Sequence, residues 1–354
     1  MASENSVRVG NLTMGGGAPV LVQSMTTTPT SDSRATLSQI NSLAELGAEI
    51  VRVSVPDDSA ASALPAIVSG SPVPVVADIH FRADLAVKAI EAGIHKLRLN
   101  PGNIRRESEV REIASLAGDR NIPIRIGVNS GSVPGDLRAS CGGVNENSMW
   151  KAAKRHFQLL EDAGFSQIVL SLKASDPMLT VRVNRLAAEN CPYPLHLGVT
   201  EAGPVDTAGI RSAVAMGILL NEGIGDTIRI SISGSPLPEP GAAWEILTSL
   251  GLRQRFPKIV SCPTCARARL DVATLAEQVR KMTRKIVSDS VIAVMGCEVN
   301  GPGEAGEADL AVIGTPSGLV LWKDGKLAGK IDEKNLNKLL SEQTALLERR
   351  KKSE

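Results

Sequence analysis

From about residue 20 to residue 250 one pattern recurs. A short run of β-branched and other apolar residues ends in polar ones, and an Ala- and Leu-rich stretch with helical spacing follows. The apolar runs predict strands at Val20–Ser24, Ile50–Ser54, Val73–Asp78, Lys96–Asn100, Pro123–Gly127, Gln167–Ser171, Pro194–Val199 and Thr227–Ile232. Between them the spacing predicts helices over Arg34–Leu46, Ala83–Ala92, Met149–Ala163 and Thr207–Glu222. Eight such strand–helix units in roughly 250 residues predict a (β/α)8 TIM barrel. A doubly wound open sheet is the alternative, but it rarely uses so many evenly repeated units. One unit is longer, and its extra residues, Asn129–Asn147, are rich in Gly, Ser and Asn and read as a mobile loop after the fifth strand.

The pattern changes near Gly251–Pro257. A strand at Lys258–Ser261, a helix over about Asp271–Ile286, and strands at Val291–Met295, Ala308–Ile313 and Leu319–Trp322 follow, with Asp324-Gly325 as a hairpin turn. A last helix is expected from Glu333 to Arg349, its basic end solvated and favoured by the helix dipole. The chain therefore reads as α/β in two domains, a barrel over 1–256 and a small α/β domain over 257–354.

Composition narrows the functional classes. The formal net charge is +1, so no strong field argues for nucleic acid or an anionic membrane. Aromatic residues are 2% of the chain, too few for a platform of stacked bases. No basic segment leads into an apolar run at the N-terminus, and the longest apolar stretches, such as Ser212–Leu220, are too short to span a bilayer. Five cysteines form no even framework, which points to a reducing, cytoplasmic setting where thiols serve chemistry.

The strand ends hold the first candidate site. Arg52, Arg98, Arg125 and Arg229 each stand between two apolar neighbours, so if those neighbours face the outer helices the guanidiniums face the lumen. Unpartnered buried guanidiniums are costly, and Asp78 and Glu201, also at strand ends, are candidate partners. The remaining charge calls for a phosphorylated substrate, whose oxygens match guanidinium forks. The same parity places Asn100, Asn129, Ser231 and Ser233 with the arginines, Lys173 just past the sixth strand, and His80 two residues beyond Asp78. The bland alternative is an internal salt-bridge network. Other features read structurally. Gly15-Gly16-Gly17 precedes the first barrel strand and forms a turn, Gly223 and Gly225 stop a helix, and Cys141 and Cys191 are incidental thiols. His95, His156 and His196 are packing residues, although His196 could reach the lumen.

The second candidate site is a metal centre. Cys262 and Cys265 form a Cys-Pro-Thr-Cys clasp, and Cys297 follows in Met-Gly-Cys-Glu-Val-Asn-Gly-Pro-Gly-Glu. All four histidines lie in the barrel region, so an ordinary zinc site lacks its fourth ligand. Glu298 and Glu304 are both candidates for a fourth, oxygen ligand, which suits an iron–sulfur cluster with one exchangeable corner. A structural zinc is the alternative.

Taken together, these segments closely resemble the 4-hydroxy-3-methylbut-2-enyl diphosphate synthases of the non-mevalonate isoprenoid pathway, over essentially the whole chain. The resemblance rests on Val20–Thr26, Val51–Pro56, Ala77-Asp-Ile-His-Phe81, Lys96–Asn103, Ile124–Asn129, Ser171–Ser175, Leu197–Gly203, Ile228–Gly234, Ser261–Cys265 and Met295–Glu304. There is no room for the large extra domain of plant members, so the chain looks like the two-domain bacterial type. The resemblance implies a [4Fe–4S] cluster on Cys262, Cys265, Cys297 and Glu304, and the substrate 2-C-methyl-D-erythritol 2,4-cyclodiphosphate. It implies a two-electron reductive ring opening with loss of water, electrons from flavodoxin or ferredoxin, and a homodimer in which one subunit's cluster domain caps the other's barrel. It maps family sites onto Arg52, Asp78, His80, Arg98, Asn100, Arg125, Asn129, Lys173, Glu201, Arg229 and Ser231. Asp78, His80 and Glu201 are the candidates for proton transfer or for orienting the substrate, with Glu201 the first choice as acid. The competing readings are a phosphate- or pterin-binding barrel transferase with a structural metal, and a non-catalytic iron–sulfur carrier.

Overall fold

The computed structural model describes residues 3–104 and 106–332, with Asn335, Leu336, Lys338, Leu340, Glu342 and Gln343 beyond them. The chain divides into two compact units, Met1–Leu252 and Arg253–Glu354.

In the first unit, a hairpin of β1 (Ser6–Val9) and β2 (Leu12–Gly15) precedes the repeated units. The repeats run β3 (Leu21–Met25), α1 (Ser33–Glu45), β4 (Ile50–Ser54), α2 (Asp58–Gly70), β5 (Val75–Asp78), α3 (Ala83–Glu91) and β6 (Lys96–Arg98). They continue with α4 (Glu107–Asp119), β7 (Ile124–Asn129), α5 (Gly135–Ser140), α6 (Glu146–Asp162), β8 (Ile168–Lys173) and α7 (Pro177–Asn190). Last come β9 (His196–Leu197), α8 (Val205–Asn221), β10 (Thr227–Ile228) and α9 (Pro238–Ser249). The sheet order is β8-β7-β6-β5-β4-β3-β10-β9, its pairs are parallel, and a parallel bridge between Leu170 and Leu195 closes it. The predicted (β/α)8 TIM barrel is therefore present, as the eightfold repeat required.

Local chemistry explains the elements. Asp32, Asp57 and Asp176 cap α1, α2 and α7 by accepting hydrogen bonds from first-turn N–H groups that have no partner inside the helix. After α8, Gly223 turns the chain at φ +73°, a left-handed conformation that other residues rarely take. The segment Asn129–Asn147 is not the irregular loop expected. It contains α5, and the side chains of Asn145 and Ser148 form a reciprocal cap on α6.

The hairpin was not foreseen, because its two strands are four residues each, too short for a clear alternation. Its Val7, Val9 and Met14 pack with Leu21, Ile50, Val76 and Val169, sealing the N-terminal end of the barrel with apolar contacts. At the barrel's seam, the buried Trp244 on α9 donates from Nε1 to the Gly47 carbonyl at 2.9 Å, tying the last helix back to the first repeat.

The second unit has β11 (Lys258–Ser261), α10 (Val272–Thr283), β12 (Val291–Met295), α11 (Gly301–Gly306), β13 (Leu310–Thr315), β14 (Gly318–Lys323) and β15 (Lys326–Ile331). Its sheet order follows the sequence, with β11, β12 and β13 parallel and β14 and β15 antiparallel. Asp324 at φ 49° and Gly325 at φ 71° make the expected tight turn. Val272, Leu275 and Val279 of α10 pack on Ile292, Val294, Leu310 and Val312. Of the helix expected over Glu333–Arg349, Leu336, Lys338, Leu340, Glu342 and Gln343 are helical, and the rest apart from Asn335 lies outside the described residues.

Trp244→Phe keeps the ring in the seam but leaves the buried Gly47 carbonyl without its donor. We expect a loss of about 1–3 kcal/mol in urea unfolding of the barrel unit.

Candidate active site

At the carboxyl ends of the barrel strands a cleft of about 230 Å³ opens, lined by Arg52, Asp78, His80, Arg98, Arg125, Gly127, Asn129, Ser171, Lys173, Thr200, Arg229 and Ser231. Strand alternation puts them there. On β4, Val51 and Val53 are fully buried while Arg52 turns inward. On β6 and β7 the same alternation aims Arg98 and Arg125 at one space, and Arg229, directly after β10, joins them. A larger cleft of about 500 Å³, lined by Ser3, Cys191, Tyr193 and Asp226, lies where the chain enters β9 and β10. It gathers no such cations, and burial pushes the Cys191 thiol up to about 11, so the chemistry belongs to the smaller cleft.

The carboxylates are few and committed. Asp78 accepts from Arg98 Nη1 at 3.2 Å and lies 3.5 Å from Arg52 Nε. Burial alone would raise its carboxyl, but Arg52, Arg98 and Arg125 outweigh burial and hold it below the usual carboxylate range. Arg229 Nη2 donates to Glu239 Oε1 at 2.9 Å, and Glu239, 1% exposed, also accepts from Ser24 Oγ at 2.7 Å. Arg98 Nη1 lies 3.0 Å from His80 Nδ1. Burial lowers His80 against the pull of Asp78, and Arg98 and Arg52 add to the lowering, so the ring is neutral at pH 7. A neutral ring that accepts at Nδ1 keeps its proton on Nε2.

Against these two buried carboxylates stand six basic side chains, Arg52, Lys96, Arg98, Arg125, Lys173 and Arg229. Arg125 is 1% exposed, and its Nε and Nη1 have no hydrogen-bond partner. Arg52 is lowered to about 10, by burial above all and against the pull of Asp78. Guanidiniums nevertheless stay charged at neutral pH. Lysines can yield instead, and burial followed by neighbouring arginines pushes Lys96 and Lys173 well below the ordinary lysine value. Two glycines make room for this crowd. A Cβ on Gly127 would meet Arg98 Nε at 3.2 Å, and one on Gly198 would meet Lys173 Nζ at 2.5 Å.

Several expectations need correction. Glu201 is exposed and does not line the cleft; its φ of 54° breaks the strand alternation, and Thr200 takes its place. The second carboxylate is Glu239, which comes from the first turn of α9 and was invisible to a strand-based count. Ser233 is exposed and outside the lining, because the regular part of β10 ends at Ile228 and parity no longer holds five residues on. Asn100 is buried but spends its Oδ1 on the Gly127 N–H at 2.9 Å, bracing β7. His196, expected to pack, lies fully buried under Lys173 with Nε2 3.2 Å from Nζ. Lys96 shares the parity of Arg98, a signal in the sequence that was overlooked. His95 and His156 are structural as expected, each accepting a backbone N–H at Nδ1.

In the second unit, Cys262 follows β11 directly and Cys297 lies two residues past β12; these strands run parallel with Ser261 opposite Val294. Both thiols are half-buried, while Cys265 and Glu304 are exposed. Gly301 N donates to the Cys297 carbonyl at 3.2 Å, so the loop passes straight into α11, whose first turn carries Glu304. Among the described residues no three His, Cys, Asp or Glu side chains are gathered into a group able to hold a metal ion. The donor set still fits an iron–sulfur group in kind. Cys262 Sγ accepts the Gly296 N–H at 3.1 Å, and backbone N–H donors to sulfur are among the contacts that tune such clusters.

The fold and the cleft thus define a (β/α)8-barrel enzyme for a polyanionic substrate, joined to an α/β unit that presents three cysteines on two adjacent strand ends. The chain belongs to the GcpE family. The family's models match as "GcpE TIM-barrel domain" over residues 4–244 and "GcpE protein C-terminal domain" over residues 258–345. It is 48% identical over 335 residues to the Geobacter sulfurreducens protein named 4-hydroxy-3-methylbut-2-en-1-yl diphosphate synthase (flavodoxin), covering 95% of each. It is also 48% identical over 336 residues to the protein of the same name from Maridesulfovibrio salexigens, covering 94% of each. Among solved structures, the Yersinia pestis dihydropteroate synthase matches with TM-score 0.50 at 14% identity, over 70% of this chain and 98% of that one. The Clostridium difficile type I 3-dehydroquinate dehydratase matches with TM-score 0.50 at 12% identity, over 70% and 97%. That likeness is one of fold alone. Among the described residues no helix is long and apolar enough to cross a membrane.

Replacements at the cleft and among the buried residues of the barrel should move stability in opposite directions. Asp78→Asn strands Arg52 and Arg98 and is expected to cost about 3–5 kcal/mol in urea unfolding at neutral pH. Because the folded Asp78 lies below its unfolded value of ~4, its stabilisation is complete above that value. The gap between wild type and variant should therefore close as pH falls through the depressed folded value. Lys96, fully buried, donates from Nζ to Gln23 Oε1 at 3.3 Å, and replacing the two together by Met and Leu removes a buried polar pair and is expected to stabilise by about 1–4 kcal/mol.

Proposed function

We propose that this chain reduces 2-C-methyl-D-erythritol 2,4-cyclodiphosphate to 4-hydroxy-3-methylbut-2-en-1-yl diphosphate by two-electron ring opening with loss of water. The observation that carries this reading is the uncompensated charge of the cleft, above all the buried Arg125 with two unpartnered nitrogens. A cyclic diphosphate supplies the missing acceptors, and guanidinium forks match its oxygens. Ring opening turns a bridging phosphate ester into a free anion, so the groups that bind the ring also favour the charge that develops when it opens.

In this reading Arg98, Arg125, Arg229 and Lys173 hold the diphosphate, Asn129 and Ser231 orient it, and Arg52 completes the cation wall. Asp78 holds Arg52 and Arg98 in place and belongs to the site through them. His80, neutral and with its proton on Nε2, lines the cleft and can donate a hydrogen bond that orients the substrate, whereas Glu201 does not line it. Cys262, Cys265, Cys297 and Glu304 would hold a [4Fe–4S] cluster, with Glu304 as the exchangeable oxygen ligand. When bound, such a cluster supplies single electrons and a Lewis-acidic iron. Flavodoxin, which the relatives' name specifies, is the proposed donor, with ferredoxin as the alternative. A homodimer working in the cytoplasm completes the reading.

Anaerobically purified protein should be coloured and contain iron and sulfide. A colourless zinc protein would favour a transferase with a structural metal instead. Cys297→Ser and Glu304→Ala should each abolish anaerobic turnover of the cyclic diphosphate, and near-wild-type rates in either would sink the reading. Arg98→Ala should weaken binding of the cyclic diphosphate by about tenfold or more while iron content is unchanged, since each charge-assisted hydrogen bond contributes roughly 1.5–3 kcal/mol.

A further inference from the structure

Beneath the cleft, Lys173 and His196 form an isolated pair. Lys173 is 7% exposed, and among the described residues its hydrogen-bond partner is His196 Nε2 at 3.2 Å. His196 is fully buried, and its Nδ1 has no partner at all. Among the described residues no carboxylate forms a hydrogen bond or ion pair with either one. The groups bearing on Lys173 are Arg125, Arg229 and Arg52, opposed by Glu239 alone, which is already bonded to Arg229. Those bearing on His196 are Lys173 itself, Arg125, Lys96 and Arg52. Gly198 leaves the opening through which Nζ reaches this position, since a Cβ there would stand 2.5 Å from it.

We propose that Lys173 and His196 are both uncharged in the empty cleft and that Lys173 Nζ takes up one proton from solvent when a polyanion binds. His196 is the positioning residue that holds Nζ in place and accepts its hydrogen bond. The proposal rests on the diphosphate-binding role given to the cleft above.

The physical reason is charge balance. The arginines cannot give up their protons, so in the empty cleft the crowding is relieved at the groups that can, the amine and the imidazole. Burial and then the cations named above push both below their ordinary values. Phosphoryl oxygens arriving beside Nζ reverse the sign of the local field and favour the ammonium. His196 Nε2 serves both states, donating to the free amine or accepting from the ammonium, with the ring proton moving to Nδ1 in the second case. The structure provides no equivalent pair at His80, which is half exposed and tied to Arg98 and Asp78.

The test is titration of the anaerobically prepared holoenzyme with inorganic pyrophosphate, by calorimetry in buffers of different ionisation enthalpy. The ionisation of pyrophosphate is measured in the same buffers and subtracted. We expect uptake of up to one proton per site at pH values above the lowered value of the free Lys173 and below the ordinary lysine value of ~10.4, with affinity falling as pH rises through that range. Lys173→Met should remove the uptake. His196→Phe should shift the pH window of uptake downward, because the ammonium loses its acceptor, whereas a packing role alone would weaken binding equally at every pH. Binding by the wild type with no proton uptake overturns the proposal and leaves the anion site intact. Uptake retained in Lys173→Met also overturns it. Absence of pyrophosphate binding to the wild type overturns the proposal together with the site on which it rests.

Discussion

The constraint on which the rest of the barrel depends is the confinement of four guanidiniums and two lysines with two carboxylates inside one closed lumen. Isolated charges are driven out of protein interiors by several kcal/mol each. Here they are held in by a barrel whose strands have nowhere else to turn. The flanking Val, Ile and Leu are fixed on the helices outside, so the arginines between them must face inward. The apolar seal made by the N-terminal hairpin and the Trp244 tie at the seam help keep the strands closed around this load.

The arrangement makes the cleft a poor structure when empty and a good receptor when filled. Asp78 serves two arginines at once, and Glu239 serves Arg229 while bonding to Ser24 on the first barrel strand. Neither is free to neutralise Arg125. The unspent donors are therefore concentrated where strand ends converge, the position at which barrel enzymes carry out their chemistry. The dihydropteroate synthases and dehydroquinate dehydratases share this barrel, which shows how little the fold alone decides. In this chain the discrimination lies in the charge inventory of the lumen and in the cysteine-bearing unit that follows it.

Much of this was legible in the chain. The eight β-branched runs announced the barrel, because a strand covered by helices on one side and lumen on the other must be apolar for most of its length. The parity of Arg52, Arg98, Arg125 and Arg229 announced the cleft. Parity failed where the regular strand ended. Glu201 and Ser233 lie in loops whose φ and ψ no longer follow the pleat, and only the folded backbone shows that they turn away. Glu239 escaped notice for the converse reason, since it enters the lumen region from a helix whose start is bracketed by Pro238 and Pro240.

By itself, then, the sequence determined the repeat, the inward set of arginines, the spacing of Cys262, Cys265 and Cys297, and the family, all of which are local in the chain. The tertiary structure decided which charges meet. Glu239 finds Arg229 and Ser24, and Ser24 is 215 residues distant from it. Lys173 comes to rest on His196 because Gly198 leaves the space. The Ser24–Glu239 pairing depends on closure of the barrel, since a closed ring of strands brings side chains from opposite ends of the barrel segment within hydrogen-bonding distance. Electrostatic energies depend on that distance and on burial, neither of which is written in the order of residues.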